Sequence, residues 1–563
     1  MKTVIIGGVA GGASAAARLR RLDEAAEIVL LERGEYISYA NCGLPYYIGG
    51  EITDRSALTL QTPESFHARF RVDVRTGNEA VSIDTAAKTV RVRRAADGTE
   101  YEESYDRLLL SPGAAPVRPP IEGLDSERVF TLRNIPDTYQ IREFLEQKKP
   151  KTAVVAGGGA IGCEMAENLT RAGLSVTIVE LADHIIAPLD YDMACLAQQH
   201  LRAKGVGLLL KNGIKKILPD GESLRVVLSE GELSADMLLL SAGVRPDTAL
   251  AQAAGIRTSA RGAIVVDERM RTSAPDVYAV GDAVEITDFV TGQKGSVPLA
   301  GPANKQGRIA ADNIAGIPSR YHGTQGSSIL KLFDLTVATT GLNERAAKAA
   351  GMPYDKIVLF SASHAGYYPG GGNLTTKVLY ETGTGRILGA QIVGTDGVDK
   401  RCDVLAAAVR GHLSAIDLTE LELCYAPPYS SAKDPVNMAG YVIDNLMTGK
   451  VRQFHWDEVA ALPRDGSAVL IDTRTPSEYA AGHIEGFVNI PLDELRNRLD
   501  EIERGKPVYV NCQSALRSYI ACRILSQNGF DCSHLSGGWR FYDAVVRESG
   551  YDGRPAHPCG IVR

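Results

Sequence analysis

The nine cysteines of this 563-residue chain are scattered singly, with no Cys-x-x-Cys pair among them. That excludes the paired-thiol pattern of a structural zinc site, and the odd count argues against a secreted disulfide framework. It points instead to a reducing compartment in which a chosen thiol does chemistry. No apolar run reaches the roughly 18 uninterrupted residues of a membrane span. Positive charge is not in excess: 61 Lys and Arg stand against 68 Asp and Glu, for a net charge of -7. No global basic field favours nucleic acid or an anionic membrane, so neither is an expected partner. The small apolar stretch from Lys2 to Ala17 superficially resembles a secretion signal, but it is glycine-rich and runs straight into Arg18, Arg20 and Arg21. A nucleotide-binding turn explains it better, and the cytoplasm is the expected location. The rest of the composition, 44% hydrophobic and 23% charged, is ordinary for a globular protein. A chain this long needs several cores, so three or four domains are expected.

Two segments carry the pattern of a dinucleotide-binding βαβ unit. Lys2–Gly7 reads as a buried strand, Gly8 to Gly12 as a tight turn and Ala13–Leu22 as a helical run, with a second strand at Ile28–Leu31 ending in Glu32. Glycines let the backbone approach a pyrophosphate, the helix N-terminus favours its charge, and the acidic residue can bind ribose hydroxyls. The middle glycine of G-x-G-x-x-G is Val9 here, between Gly7 and Gly12. The pattern returns complete at Gly157, Gly159 and Gly162, with Glu164 just inside the helix and a strand at Ser175–Val179 ending in Glu180. A carboxylate at Glu180 would repel a 2′-phosphate, which favours NADH over NADPH, with Arg171 and His184 as complications. Strands ending in turns at Gly113 and Gly243 could close the two sheets, and another ends in Gly281-Asp282.

These segments together resemble the two-dinucleotide-fold flavoprotein disulfide reductases, over roughly Met1 to Met447. The resemblance implies FAD in the first fold and NAD(P)H in the second. It places the FAD site at Gly7, Ala10, Gly12, Glu32, Arg33, Asn41, Gly113, Gly281 and Asp282, with Asp282 on the ribityl chain. The pyridine-nucleotide site falls at Gly157, Gly159, Gly162, Glu180 and Gly243. It also implies an α/β fold of two Rossmann-like domains, 1–112 with 245–320 for FAD and 113–244 for NAD(P)H. An α+β dimerisation domain at 321–446 and a homodimer would follow.

Many such reductases carry C-x-x-x-x-C shortly after the first acidic residue. Here Cys42 is followed at the second position by Tyr47, so it has no local partner. Its oxidation must be stored as a sulfenic acid, a persulfide or a mixed disulfide with an external thiol. The Ser38-Tyr-Ala-Asn41-Cys42 pattern resembles the coenzyme A-disulfide reductases. That implies a Cys42–CoA mixed disulfide and tyrosines from a second subunit reaching the cysteine. Tyr367 and Tyr425 are assigned to that role, with Tyr368 as the alternative to Tyr367. A helix N-terminus near Cys42 is expected to lower its pKa. Ser14, Arg18 and Arg21 fall on one helix face, with Arg20 pointing elsewhere. With Ser38, Asn41, Arg71 and Lys433, and Arg69 as a further cation, they form the expected CoA site.

After a linker at 447–456, residues 457–563 resemble a rhodanese domain. The strongest signal is Cys512-x-x-x-x-Arg517 between a strand at Pro507–Val510 and a helix from Tyr519 to Gln527. Backbone N–H groups of such a loop form an anion nest for a persulfide on Cys512, and Arg517 adds charge. Asp472, Arg474 and Glu478 match that family's structural motif. Cys163, Cys195, Cys402, Cys424, Cys522 and Cys532 read as structural, and Cys559 as a thiol without an assigned role. No metal site is expected.

Both ends of the chain thus handle sulfur. The joint reading is NAD(P)H-dependent reduction of CoA disulfide, CoA persulfide or polysulfide, with sulfane sulfur carried on Cys512. Two rivals stand beside it: an NADH oxidase or peroxidase cycling Cys42 through sulfenic acid, and a redox sensor or sulfur-carrier scaffold.

Overall fold

The computed structural model describes residues 1–551; Cys559 lies outside them. The chain divides into two compact units, Met1–Ile185 with Gly205–Gly326, and Ile186–Lys204 with Ser327 onward.

The first unit holds two parallel five-stranded sheets. One runs Val277–Ala279, Arg107–Leu110, Lys2–Ile6, Glu27–Glu32, Asp73–Thr76. The other runs Gly207–Leu209, Ser175–Val179, Thr152–Ala156, Met237–Leu240, Val129–Phe130. Their central strands are continuous apolar runs because helices and loops cover both faces: Val4, Ile5, Leu30, Leu108 and Leu109 are fully buried, as are Val155, Leu238 and Leu239. In each sheet the first strand pairs in parallel with the strand that ends in an acidic residue, Ile6 beside Leu31 and Ala156 beside Val179. This register brings Glu32 and Glu180 to the carboxyl ends of their sheets, beside the glycine turns. That is where an open α/β sheet binds ligands.

The second unit contains an antiparallel five-stranded sheet, ordered Ser328–Leu332, Leu335–Gly341, Ile387–Gly394, Asn373–Glu381, Tyr354–Ala362. A parallel sheet follows, ordered Gln453–Phe454, Cys532–Leu535, Val508–Asn511, Val469–Asp472, Val488–Asn489. The segment read as a linker therefore contributes an edge strand to this last sheet. Polar contacts fasten it to the antiparallel sheet and to the helix Tyr191–Ala203: Gln453 Nε2 donates to the Lys356 carbonyl at 2.7 Å, and Trp456 Nε1 donates to Asp192 at 3.2 Å. The helix Tyr191–Ala203 also belongs here. Its Gln198 donates to Glu548 at 2.8 Å and its Gln199 to the Ala544 carbonyl at 2.6 Å, both on the helix Gly538–Ser549.

Asp190, Asp192 and Glu344 bring ligand-type oxygens within 4.8 Å of one another. The buried ammonium of Lys377 stands among them, 2.8 Å from Asp192, 2.6 Å from Glu344 and 3.0 Å from Asp190. Burial opposes both charges, but Lys377 and Lys356 hold the Glu344 carboxyl down at about 2. The protein supplies its own cation to this cluster.

Candidate active site

Both glycine turns pack in the same way. A Cβ on Gly12 would collide with the Gly7 carbonyl, and one on Gly162 with the Gly157 carbonyl, so each helix seats directly on its strand. Gly7 and Gly157 have positive φ, 98° and 111°, and their successors donate backbone N–H groups to the acidic residues. Gly8 donates to Glu32 at 2.9 Å and Gly158 to Glu180 at 2.6 Å. Each carboxylate takes a second N–H, from Gly34 and Ala182, both at 2.8 Å. The turns differ at one place. Gly159 caps its helix with nothing within 4 Å of where a Cβ would sit, which leaves its backbone open to an approaching pyrophosphate. Val9 caps the first helix instead, with Ala10 its first residue. Arg171 pairs with Glu167 at 2.9 Å, and His184 lies 2.5 Å from Asp183.

The flavin side is built from more distant parts. Gly113 and Gly281 both have positive φ, and Gly281 donates to Gln306 Oε1 at 2.8 Å. Desolvation raises the Asp282 carboxyl above its ordinary range, and Arg133 opposes the shift. A hydroxyl-bearing chain donating to that carboxylate would satisfy it, so the residues present fit FAD. Arg33 is exposed and pairs with Asp247 at 2.8 Å.

Cys42 lies in a short 3-10 turn, Asn41–Gly43, ahead of the helix Leu44–Ile48. It is exposed, as is Asn41, and it forms no disulfide. The expectation of a lowered thiol pKa is overturned. Protein atoms crowd the sulfur, and desolvation, reinforced by Glu164 and Asp282, raises it. The following helix has only five residues, too little aligned dipole to win against desolvation and two carboxylates. Burial pushes Glu164 up to about 7, against the Tyr46 hydroxyl that reaches it at 3.4 Å, with Glu167 adding to the rise. Sequence reasoning noted Glu164 only as a helix residue. Its sequence distance from Cys42 hid their proximity.

The expected CoA residues fall into distinct settings. Ser14 bonds Asn304 and Arg18 pairs with Asp312 at 2.8 Å, so both face the helix Ala300–Ile314. Arg21, Arg69 and Lys433 are exposed. Ser38 and Arg71 both take left-handed backbone, with φ of 46° and 47°. Arg20 is buried, and its guanidinium donates to the carbonyls of Asp23, Glu24, Ala26, Phe70 and Arg71. It fixes the loop and is not available to a phosphate. In the second unit the exposed Tyr367 and Tyr425 share a hydroxyl–hydroxyl bond of 2.8 Å, while Tyr368 packs edge-on against His364.

Cys512 is buried at the end of the strand Val508–Asn511, and the helix after it begins at Leu516, earlier than expected, so Arg517 is in its first turn. The loop is gripped from behind. Trp539 N–H donates to the Cys512 carbonyl at 2.7 Å and Arg540 N–H to that of Gln513 at 3.1 Å. A Cβ on Gly538 would strike the Cys512 carbonyl at 2.5 Å and the Ser514 and Ala515 nitrogens at 2.9 Å. Ala515 takes φ of 71°, which turns successive N–H groups inward. Arg517 does not point its charge at the loop unpaired. It makes a bidentate pair with Glu478, 2.7 and 2.8 Å, which holds that carboxyl at about 2. Below the loop Asp472 and Arg474 form a fully buried pair at 2.8 Å, and Arg474 also donates to the Gly482 carbonyl at 2.6 Å. Cys163, Cys195, Cys402, Cys522 and Cys532 are buried, as expected of structural thiols, but Cys424 is exposed.

Residues 1–307 match the family described as pyridine nucleotide-disulphide oxidoreductase, 327–435 its dimerisation domain and 455–544 a rhodanese-like domain. A coenzyme A disulfide reductase of Staphylococcus haemolyticus is 35% identical over 446 residues, 79% of this chain and 100% of that protein. An NADH oxidase of Methanocaldococcus jannaschii is 36% identical over 444 residues, 78% of this chain and 98% of that one. Among solved structures, reduced Bacillus anthracis CoADR-RHD is 48% identical with a TM-score of 0.95, covering 97% of this chain and 98% of its own. An NAD-dependent persulfide reductase from A. fulgidus is 40% identical with a TM-score of 0.90, covering 96% and 100%. The chain therefore belongs to the FAD- and NAD(H)-using pyridine nucleotide-disulphide oxidoreductases and carries a rhodanese-like domain at its C-terminal end.

Proposed function

We propose that this enzyme reduces the S–S bond of CoA disulfide, CoA persulfide or polysulfide with NADH, through Cys42, and that Cys512 carries sulfane sulfur. The observation behind the reading is a solitary, solvent-reachable thiol in an acidic field beside Asp282. Burial, with that field, disfavours a resting thiolate, and with no partner thiol in reach Cys42 would store oxidation as a mixed disulfide with CoA. The Cys42 thiolate attacks a CoA sulfur of CoA disulfide or CoA persulfide, the S–S bond breaks, and the other sulfur leaves with the electron pair, as CoA thiol from the disulfide or hydrogen sulfide from the persulfide once protonated. FAD at its site would supply the two electrons of NADH, and with them the mixed disulfide separates into CoA thiol and Cys42 thiolate. Tyr367 and Tyr425, supplied by the second subunit of a homodimer, would hydrogen-bond the departing sulfur. Gly7, Ala10, Gly12, Glu32, Arg33, Asn41, Gly113, Gly281 and Asp282 would hold FAD, and Gly157, Gly159, Gly162, Glu180 and Gly243 the nicotinamide nucleotide. Ser14, Arg18, Arg21, Ser38, Asn41, Arg71 and Lys433 would hold CoA, with Arg18 exchanging Asp312 for a phosphate.

The preference for NADH rests on Glu180, whose carboxylate, fixed by Gly158 and Ala182, would repel a 2′-phosphate. The domain division at 112, 244, 320 and 446, a cytoplasmic location and the absence of a nucleic-acid partner belong to the same proposal. No helix of the described residues is long and apolar enough to cross a membrane. The test is mass spectrometry of the protein as purified together with turnover of two variants. A CoA adduct on Cys42 is expected, and Cys42→Ser should lose at least about a thousandfold in CoA-disulfide turnover with FAD still bound. Full activity in that variant, or faster turnover with oxygen alone, would reject the reading in favour of the oxidase.

A further inference from the structure

Next to the buried Cys512, the following two residues of its loop face a wall made by another domain. Gln513 and Ser514 line a cavity of about 350 Å³ with Arg540 and with Phe360, Ser361, Ala362 and Asn373 of the antiparallel sheet. The wall is fixed in place. Val358 N–H, on the edge strand Tyr354–Ala362, donates to Ser536 Oγ at 3.1 Å, and the Arg540 guanidinium lies 4.8 Å above the Phe360 ring. The lining offers two hydroxyls, two carboxamides and one guanidinium, and no carboxylate. Of the cations around the loop, Arg474 is committed to Asp472 and Arg517 to Glu478. Among the described residues no carboxylate pairs with Arg540.

We propose that this cavity docks the anionic sulfur donor of Cys512, a small sulfur dianion of the thiosulfate or polysulfide type, with its charged end on Arg540. The antiparallel sheet then contributes half of the sulfurtransferase site. This rests on Cys512 being the sulfur carrier. Its thiolate attacks the donor's outer sulfur; the donor's S–S bond breaks and the leaving group keeps the electron pair, as sulfite from thiosulfate. The Cys512 persulfide then gives its outer sulfur to an acceptor nucleophile, and the thiolate is regenerated.

The experiment is thiosulfate-to-cyanide sulfur transfer by the full-length holoenzyme. Arg540→Ala should raise the KM for thiosulfate about tenfold or more, the loss of one charge-assisted contact, with kcat little changed. Arg540→Lys should recover part of the loss. Ala362→Trp, which fills the cavity from the opposite domain, should raise the same KM. CoA-disulfide turnover in each preparation reports whether the chain is folded. An unchanged KM in folded Arg540→Ala and Ala362→Trp, or a fall in kcat alone, overturns the docking site. Sulfur transfer surviving Cys512→Ser overturns instead the reading of Cys512 on which it rests.

Discussion

Cys42 and Cys512 occupy opposite kinds of surroundings. Cys42 is exposed, on a short turn, and faces Glu164 and Asp282. Cys512 is buried, at a strand end, in a loop clasped by Trp539 and Gly538 above a buried ion pair. A thiol that must meet a bulky partner and electrons in turn has to be reachable, and here burial and two carboxylates disfavour its charged form. A thiol that must hold an anionic persulfide needs shelter and inward N–H groups. The protein separates the two tasks because one environment cannot serve both.

The comparison breaks most directly by deleting each sulfur in turn. Cys42→Ser should stop CoA-disulfide reduction and leave thiosulfate-to-cyanide transfer within about twofold, and Cys512→Ser should do the reverse; losses of about a thousandfold are expected on the affected side. Equal loss of both activities in either variant would merge the two sites. Next in size is the support under the buried site. Asp472→Ala leaves Arg474 charged and unpaired in the interior and should cost about 3–5 kcal/mol, read as a lower denaturant midpoint for the rhodanese-like domain.

The third effect is acid lability. His534, buried in the sheet whose strand Val508–Asn511 leads into Cys512, is held at about 4 by burial, with His455 adding to the depression. The fold therefore wants it neutral. Stability from this source is complete above about pH 6.5 and drains as pH falls toward about 4, on the order of 3 kcal/mol in all. His534→Gln should flatten that decline in urea midpoints between pH 7 and 5. The smallest effect sharpens the Cys42 side. Glu164 exchanges its proton near pH 7, so the pH profile of CoA-disulfide turnover should carry an inflection there. Glu164→Gln should remove it and make Cys42 easier to ionise, seen as faster alkylation by about severalfold at pH 8.

The dinucleotide turns, the solitary Cys42 and the Cys512 loop were legible because their chemistry is written in adjacent residues. Glycine, acid and strand fall at fixed spacings, and Tyr47 stands where a second thiol would be. What stayed hidden depends on contacts between distant segments. Nothing near Cys42 announces Glu164, so a dipole argument pointed the wrong way. The spacing puts Ser14, Arg18 and Arg21 on one helix face, but Asn304 and Asp312, which meet Ser14 and Arg18, were invisible. Arg517 looked like a bare charge because Glu478 lies 39 residues earlier. The linker reading failed to register Gln453 and Phe454 as a strand, since two residues carry no periodicity.

The strand Tyr354–Ala362 is the outermost of its sheet, and its Val358 N–H and Lys356 carbonyl are satisfied by Ser536 and Gln453 of the rhodanese-like domain. An uncovered outer strand is a template for another chain. Excising the C-terminal domain would thus strip a seam as well as a catalyst. The shortened enzyme would need new polar or prolyl residues along that hem to stay dispersed.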